Sequence, residues 1–329
     1  MNKKILVIGS GAMGTACANI LVDNKQEVLI YGVCEKEINE LREGKNLTYF
    51  DEKTKLNKFD TTLNLKEALK DVRYILLAVP SKFIPDVVSE IKKYVQNKVL
   101  LINVAKGFWP NETKTVHTKL DEISKKFELF EGVVSLMGPS FASEIVNRKI
   151  TFIDAVSHSL KFAQEVQKLF SNEYLRVYTQ DDIIGAEVGA IYKNMLAIAS
   201  GLIVALGYNI NTQAALLTRG FKEMKRYCKF VGGKIETLSG LTGLGDLILT
   251  ALSDKSRNYK FGLNFFKDSE NKNNITVEGI NSIKTIYENY VVTNKLNLPI
   301  IDALYKAVFL KKEPENIIKI LMKRPLIKE

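Results

Sequence analysis

The stretch "ILVIGSGAMGTACANIL", Ile5–Leu21, decides the fold of this 329-residue chain. Four apolar residues, three of them β-branched, run into Gly9, Gly11 and Gly14, and an apolar helical pattern follows at once. A strand, a tight glycine turn and a helix in that order open a dinucleotide-binding unit. Gly9 permits the turn, Gly11 lets backbone approach a pyrophosphate, and Gly14 lets helix and strand pack closely. The start of the helix then offers N–H groups and a positive dipole end to the phosphates.

Short apolar runs recur downstream at Val28–Tyr31, Tyr74–Val79, Val99–Val104 and Val133–Met137, then near Thr151–Val156 and Leu175–Tyr178. Amphipathic stretches lie between them, at Thr15–Asp23, Lys36–Arg42, Ile84–Tyr94 and Glu112–Lys125. Strands apolar on both faces, alternating with helices, predict an α/β domain with a Rossmann-type doubly wound parallel sheet. Beyond Asp182 the strand signals fade. Helical periodicity then dominates Ala186–Ala205, Thr212–Phe230, Ile280–Asn294, Pro299–Leu310 and Glu315–Lys323. The pattern predicts a dinucleotide-binding domain over residues 1–184 and an all-α domain over 185–329. Lys267–Asn274, "KDSENKNN", reads as a surface loop. The apolar run Met195–Gly207 is too short to span a bilayer and reads as a core helix, so no stable membrane insertion is expected.

The formal net charge of +10 suits an anionic partner. Lysines are spread along the whole chain, with no arginine-rich cluster and no interleaved aromatics, which argues against nucleic acid. Cys17, Cys34 and Cys228 are odd in number and far apart, as in a reducing, cytoplasmic setting. Two histidines, His117 and His158, do not make a metal site.

In an open parallel sheet, ligands collect beyond the carboxyl ends of the strands. Pro80, Ser81, Lys106 and Gly107 fall there, as does the turn Gly138-Pro139-Ser140. Glu35 stands about twenty residues past Gly14, where an acid meets the adenosine ribose, and no arginine is present there for a 2′-phosphate. NAD is therefore slightly favoured over NADP, although Glu35 serves equally well as a helix N-terminal carboxylate that complements the dipole. In the helical half, Lys193 and Asn194 interrupt an otherwise apolar helix, and buried groups of that kind need partners. A lysine serves hydride chemistry as acid or base when its surroundings tune it. Late in the chain, "SGLTGLGDLILTALSDKSRNYKFG" carries Asp246 and then Ser256, Arg257 and Asn258, a compact set of donors for a phosphate dianion.

These residues resemble a known family. "GSGAMGTACA", "AKGF", "GPSFASEI", "YKNMLAIASGL", "LTRGFKEM", "GLTGLGDLILT", "SRNYKFG" and "VEG" together are similar to the bacterial-type NAD(P)-dependent glycerol-3-phosphate dehydrogenases. The resemblance covers nearly the full length, and the pairing of "GLGDL" with "SRN" is its most specific part. It implies Lys193 as proton acceptor, assisted by Lys106 and Asp246. It implies substrate contacts from Lys106, Gly138, Ser140, Asp246, Thr250, Ser256, Arg257 and Asn258. Cofactor contacts are implied at Gly9, Gly11, Ala12, Met13, Gly14, Val33, Tyr49, Pro80, Lys106, Ala142, Arg257 and Glu278. The implied activity interconverts dihydroxyacetone phosphate and sn-glycerol 3-phosphate for phospholipid synthesis, in a cytoplasmic homodimer.

Two departures stand out. A Ser-Trp pair common in the family is Ala12-Met13 here, and an arginine common after the second strand is Val33. Two other readings remain open from the residues alone. One is a β-hydroxyacid dehydrogenase in which Arg257 grips a carboxylate; the other is a dinucleotide sensor without turnover.

Overall fold

The computed structural model describes residues 4–267, 277–312 and 314. The chain divides into two units, Met1–Ile183 and Ile184–Glu329. In the first, eight strands form one sheet: β1 Lys4–Ile8, β2 Val28–Tyr31, β3 Asp60–Thr62, β4 Val72–Leu77, β5 Val99–Asn103, β6 Phe130–Met137, β7 Thr151–Val156 and β8 Leu175–Gln180. Their order is β3-β2-β1-β4-β5-β6-β7-β8, so the strand order reverses between β1 and β4. The helices of this unit are α1 Ala12–Asp23, α2 Glu35–Arg42, α3 Leu65–Ala68, α4 Ile84–Tyr94, α5 Val116–Ser124, α6 Ala142–Ile145 and α7 Leu160–Phe170.

The two-residue period of a strand explains why both faces are covered. Ile5 and Val7 of β1 join one buried cluster with Ala16, Ile20 and Leu21 of α1. Leu6 and Ile8 join another, with Ile84, Val88 and Ile91 of α4 and Leu120 of α5. Each such aliphatic side chain contributes about 1.5–3 kcal/mol on burial.

The sheet is not wholly parallel, as the strand-helix alternation had suggested. β7 runs antiparallel to β6. The link between them holds only the four-residue α6, whereas a parallel crossover needs a longer connection, usually a helix. β3 carries no apolar run to announce it; it is a short, polar edge strand paired with β2. The expected helix from Glu112 starts only at Val116, because Phe108 and Thr115 first close a bridge.

The second unit contains α8 Ile183–Ala205, which begins at the last residue of the first, α9 Ile210–Val231, α10 Asp246–Ala251, α11 Arg257–Leu263, α12 Glu278–Ile286 and α13 Pro299–Leu310. Two π-helical turns, Leu241–Gly245 and Tyr287–Val292, lead into α10 and out of α12. The helix expected over Ile280–Asn294 is thus a helix that widens into a π turn. The one expected over Glu315–Lys323 lies outside the described residues, as does most of the loop Lys267–Asn274.

One expectation about α8 needs correction. At 23 residues it is, among the described residues, the one helix long and apolar enough to cross a membrane. Its apolar window is 89% buried inside the protein. Packing, not shortness, makes it a core helix.

Candidate active site

The glycine turn lies at the carboxyl end of β1, where the strand order reverses. Gly9 has φ +121°, and a Cβ there would sit 2.6 Å from the Ala78 carbonyl oxygen. A Cβ on Gly14 would lie 2.0 Å from the Gly9 oxygen. Both positions are glycine by steric need. Gly11 differs. A Cβ on it would meet nothing nearer than the Tyr49 hydroxyl, at 3.8 Å. The space above Gly11 is open, no side chain caps α1, and its first turn holds no acid. An uncapped helix start beside open space fits a dinucleotide pyrophosphate.

Ala12 and Met13 are half-buried in the first turn of α1, and Tyr49 is half-exposed nearby. Pro80 opens the turn after β4, and Ala142 is the first residue of α6. Val33 projects into solvent, 86% exposed. Ser10, inside the glycine turn, donates its hydroxyl to Glu37 Oε2 at 2.5 Å, and Asn46 donates to the Ser10 carbonyl oxygen at 2.9 Å. No periodicity or motif pointed to Glu37 or Asn46.

Lys106 sits on a turn with a built foundation. At the end of β5, Asn103 accepts from the Ala105 N–H at 3.0 Å and donates to the Ala105 oxygen at 3.0 Å. That double contact fixes the amide's orientation, so Nδ2 also donates to Ser135 Oγ at 3.0 Å. Ser135 Oγ also shares a hydrogen bond with His117 Nδ1, 2.7 Å away. The turn so braced holds Lys106 with Nζ 3.5 Å from the Gly138 oxygen, which also accepts from Ser140 Oγ at 3.0 Å.

Burial pushes His117 down to about 4 from 6.5, keeping it neutral. Between those values the unfolded chain binds a proton that the native fold excludes. Its contribution of about 3 kcal/mol is full above pH 6.5 and lost as pH falls toward 4. Asp154, 8% exposed, is pushed up by burial to about 6 from 3.8 and works in the opposite sense. Its ionisation removes a similar amount, about 3 kcal/mol, as pH rises between those values. In urea unfolding, His117→Gln is expected to lose stability relative to the parent as pH rises from 4 to 6.5, and Asp154→Asn to gain it. Parallel pH curves for all three proteins would contradict this assignment.

In the second unit, small residues let the π turn and α11 approach α8 closely on either side of Lys193. A Cβ on Gly189 would lie 2.3 Å from the Thr242 oxygen, so the π turn packs backbone to backbone against α8. Gly201 and Gly262 do the same for α8 and α11, with Cβ positions 2.1 Å from the Tyr259 and Ile198 oxygens. Lys193 emerges between these contacts, 7% exposed. Its Nζ donates to Asp246 Oδ1 at 2.6 Å and to Thr250 Oγ1 at 3.1 Å, one helical turn further along α10. Thr250 donates in turn to Asp246 Oδ1 at 3.3 Å. The carboxylate, 1% exposed, is therefore matched by a cation and a hydroxyl, as a buried charge requires.

The next residue, Asn194, extends the set. It accepts from Asn258 Nδ2 at 3.0 Å and donates to Glu278 Oε2 at 3.3 Å. Asn258 accepts from the Gly279 N–H at 3.0 Å, which ties the first turns of α11 and α12 together. Ser256 caps α11 by accepting from Tyr259 N at 3.2 Å. Arg257, the first residue of α11, is exposed and has no hydrogen-bond partner among the described residues.

Of the residues picked out in this half, the structure brings Lys193, Asp246 and Thr250 into direct contact, and links Asn258 to Glu278 through Asn194. Asn194 belongs with them, though only its interruption of an apolar run marked it.

Models of the two halves of one enzyme family match the chain. The NAD-dependent glycerol-3-phosphate dehydrogenase N-terminus matches residues 4–163, and the C-terminus of the same enzymes matches residues 182–319. The chain belongs to the NAD-dependent glycerol-3-phosphate dehydrogenase family. A glycerol-3-phosphate dehydrogenase (NAD(P)+) of Mycoplasma mobile is 51% identical over 317 residues, covering 94% of this chain and 93% of its own. One from Acholeplasma laidlawii is 41% identical, with 99% of each chain covered. The crystal structure of a glycerol-3-phosphate dehydrogenase from Coxiella burnetii superposes with a TM-score of 0.87 at 28% identity, covering 98% of this chain and 99% of that one. Ala12 and Met13 lie at the open end of the glycine turn, and Val33 lies on the exposed link after β2.

Proposed function

We propose that the protein is an NAD(P)-dependent glycerol-3-phosphate dehydrogenase that interconverts dihydroxyacetone phosphate and sn-glycerol 3-phosphate. The observation that carries the reading is the buried pair of Lys193 on α8 and Asp246 on α10, 2.6 Å apart, with Asn194, the next residue of α8, bonded to Asn258 at the start of α11. The first unit holds the dinucleotide through Gly9, Gly11, Ala12, Met13, Gly14, Tyr49, Pro80 and Ala142, and the second supplies the proton and the phosphate grip. When bound, the nicotinamide gives or takes the hydride.

In reduction, the Lys193 ammonium donates a proton to the C2 oxygen; in oxidation, the amine takes it back. Asp246 and Thr250 hold Nζ in place, so the proton moves from a fixed position. Arg257 presents a planar fork to the phosphate, with Ser256 and Asn258 beside it. Lys106, Gly138 and Ser140 contact the substrate, and Glu278 contacts the cofactor. Holding the remote phosphate positions the reacting carbon. The reaction supplies the glycerol backbone of phospholipids, and the working assembly is a cytoplasmic homodimer.

The deciding assay is the rate of NADH, and separately NADPH, oxidation with dihydroxyacetone phosphate and with small keto acids. Faster turnover of a keto acid would replace this reading with a carboxylate substrate. Arg257→Ala is expected to raise KM for dihydroxyacetone phosphate about thirtyfold, the worth of a charge-assisted contact of about 2 kcal/mol. An unchanged KM would place the phosphate elsewhere.

A further inference from the structure

The polar cluster around Ser10 has no part in the proton chemistry or the phosphate grip. Ser10 is 6% exposed. Its carbonyl oxygen accepts from Asn46 Nδ2 at 2.9 Å and from Thr15 Oγ1 at 3.2 Å, and its hydroxyl donates to Glu37 Oε2 at 2.5 Å. Asn46 also donates to Thr15 Oγ1 at 2.9 Å. The second residue of the glycine turn is thus held from three directions, and Glu37 is drawn from the first turn of α2 to meet it.

Folds of this kind usually bring an acid to the end of the second strand, where it accepts from the adenosine ribose. Here that position has no room for one. A Cβ on Gly32 would sit 2.6 Å from Ser10 Oγ and 3.0 Å from Ile38 Cδ1. Val33, which follows, is apolar and points into solvent. Glu35, the acid anticipated from spacing, is exposed and makes no hydrogen bond among the described residues. The carboxylate that reaches the glycine turn is Glu37.

We infer that Glu37 is the specificity determinant for the adenosine ribose and selects NAD(H) against NADP(H). The inference rests on the dinucleotide reading of the first unit. One Glu37 oxygen is committed to Ser10; the other accepts no hydrogen bond among the described residues, and the side chain is half-buried. A ribose 2′-hydroxyl offers that oxygen a donor. A 2′-phosphate offers only acceptors and like charge. The start of α2 would by itself welcome an anion, but Glu35 and Glu37 already occupy its first turn. Lys36, the base between them, is exposed and lies 3.8 Å from Glu40.

The test is direct titration of the full-length protein with NADH and with NADPH, following nicotinamide fluorescence, so that no turnover is required. The parent is expected to bind NADH at least about tenfold more tightly, the worth of one hydrogen bond to a charged group. Glu37→Gln keeps an acceptor for Ser10, so the turn stays formed; its preference is expected to shrink to about threefold or less. Glu35→Gln is expected to keep the parent's preference. Equal binding of the two dinucleotides by the parent, or an undiminished preference in Glu37→Gln, overturns the inference. So does a collapse produced by Glu35→Gln instead. If the parent binds neither dinucleotide, the underlying reading of the first unit fails, and the inference with it.

Discussion

Lys193→Ala is expected to lower turnover by about a thousandfold or more, while NADH affinity stays within about twofold. The rate falls because the variant has no group to give or take the proton at C2. Affinity for the dinucleotide persists because the glycine turn belongs to the first unit. The substitution also carries a second, separable cost. Asp246 is 1% exposed, and without the Lys193 ammonium its buried carboxylate loses the cation paired with it. Removing one partner of such a pair typically destabilises by about 3–5 kcal/mol. A double variant, Lys193→Ala with Asp246→Asn, is therefore expected to regain much of the stability and none of the turnover. Thermal unfolding and steady-state rates on the same preparations separate the two effects. Turnover within about tenfold of the parent in the single variant would remove Lys193 from the chemistry.

Gly189→Ala is expected to reduce kcat by about a hundredfold without touching any residue that contacts substrate. The new methyl would lie 2.3 Å from the Thr242 oxygen, 2.9 Å from its carbon and 3.0 Å from Gly243 Cα, all of them backbone. No side chain is there to swing away. The π turn has no retreat either, since Gly243 is itself pressed against the Leu238 backbone. α8 is pinned from another direction by α11 at Gly201 and Gly262. Overpacking of this kind costs about 1–3 kcal/mol, and the strain moves the turn that leads into Asp246. A shift of about 1 Å in a positioned group is enough for a hundredfold loss. Substrate KM should change less than kcat, because Arg257 and Asn258 lie on α11. A variant with the parent's kcat would show that Asp246 does not depend on this contact.

The parts of the fold that were legible in the sequence are those whose signals are local. "ILVIGSGAMG" carries its own strand, turn and helix start, and the structure has them at Lys4–Ile8, Gly9 and Ala12. Pro299–Leu310 and Ile84–Tyr94 were readable for the same reason, each being an amphipathic run opened by a proline near its first turn. β3 was not, because its residues are polar and only their pairing with Leu29–Tyr31 makes them a strand. The antiparallel course of β7 was hidden in the brevity of α6 rather than in β7 itself.

The site divides in the same manner. Lys193 and Asp246 stood out as charges in apolar surroundings. Asn194 looked like half of a dipeptide, because its partners, Asn258 and Glu278, come from 64 and 84 residues away. Glu37 reads as one of several acids in a helix, and its meaning comes from Ser10, 27 residues earlier. His117 was set aside for want of a second metal ligand, yet it braces the turn that carries Lys106.

The burial of α8 has a consequence for biosynthesis. On the ribosome this segment emerges before Thr242 and Tyr259, the backbone against which its glycines Gly189 and Gly201 close. At translation rates of roughly 5–20 residues per second, it waits several seconds with a bilayer-compatible surface and, of the helices that follow it, only α9 to cover it. A nascent chain in that state is a natural client for chaperones, and a natural trespasser at the membrane. Polypeptides truncated after α9 should therefore sediment with vesicles or aggregates, and full-length chains should not.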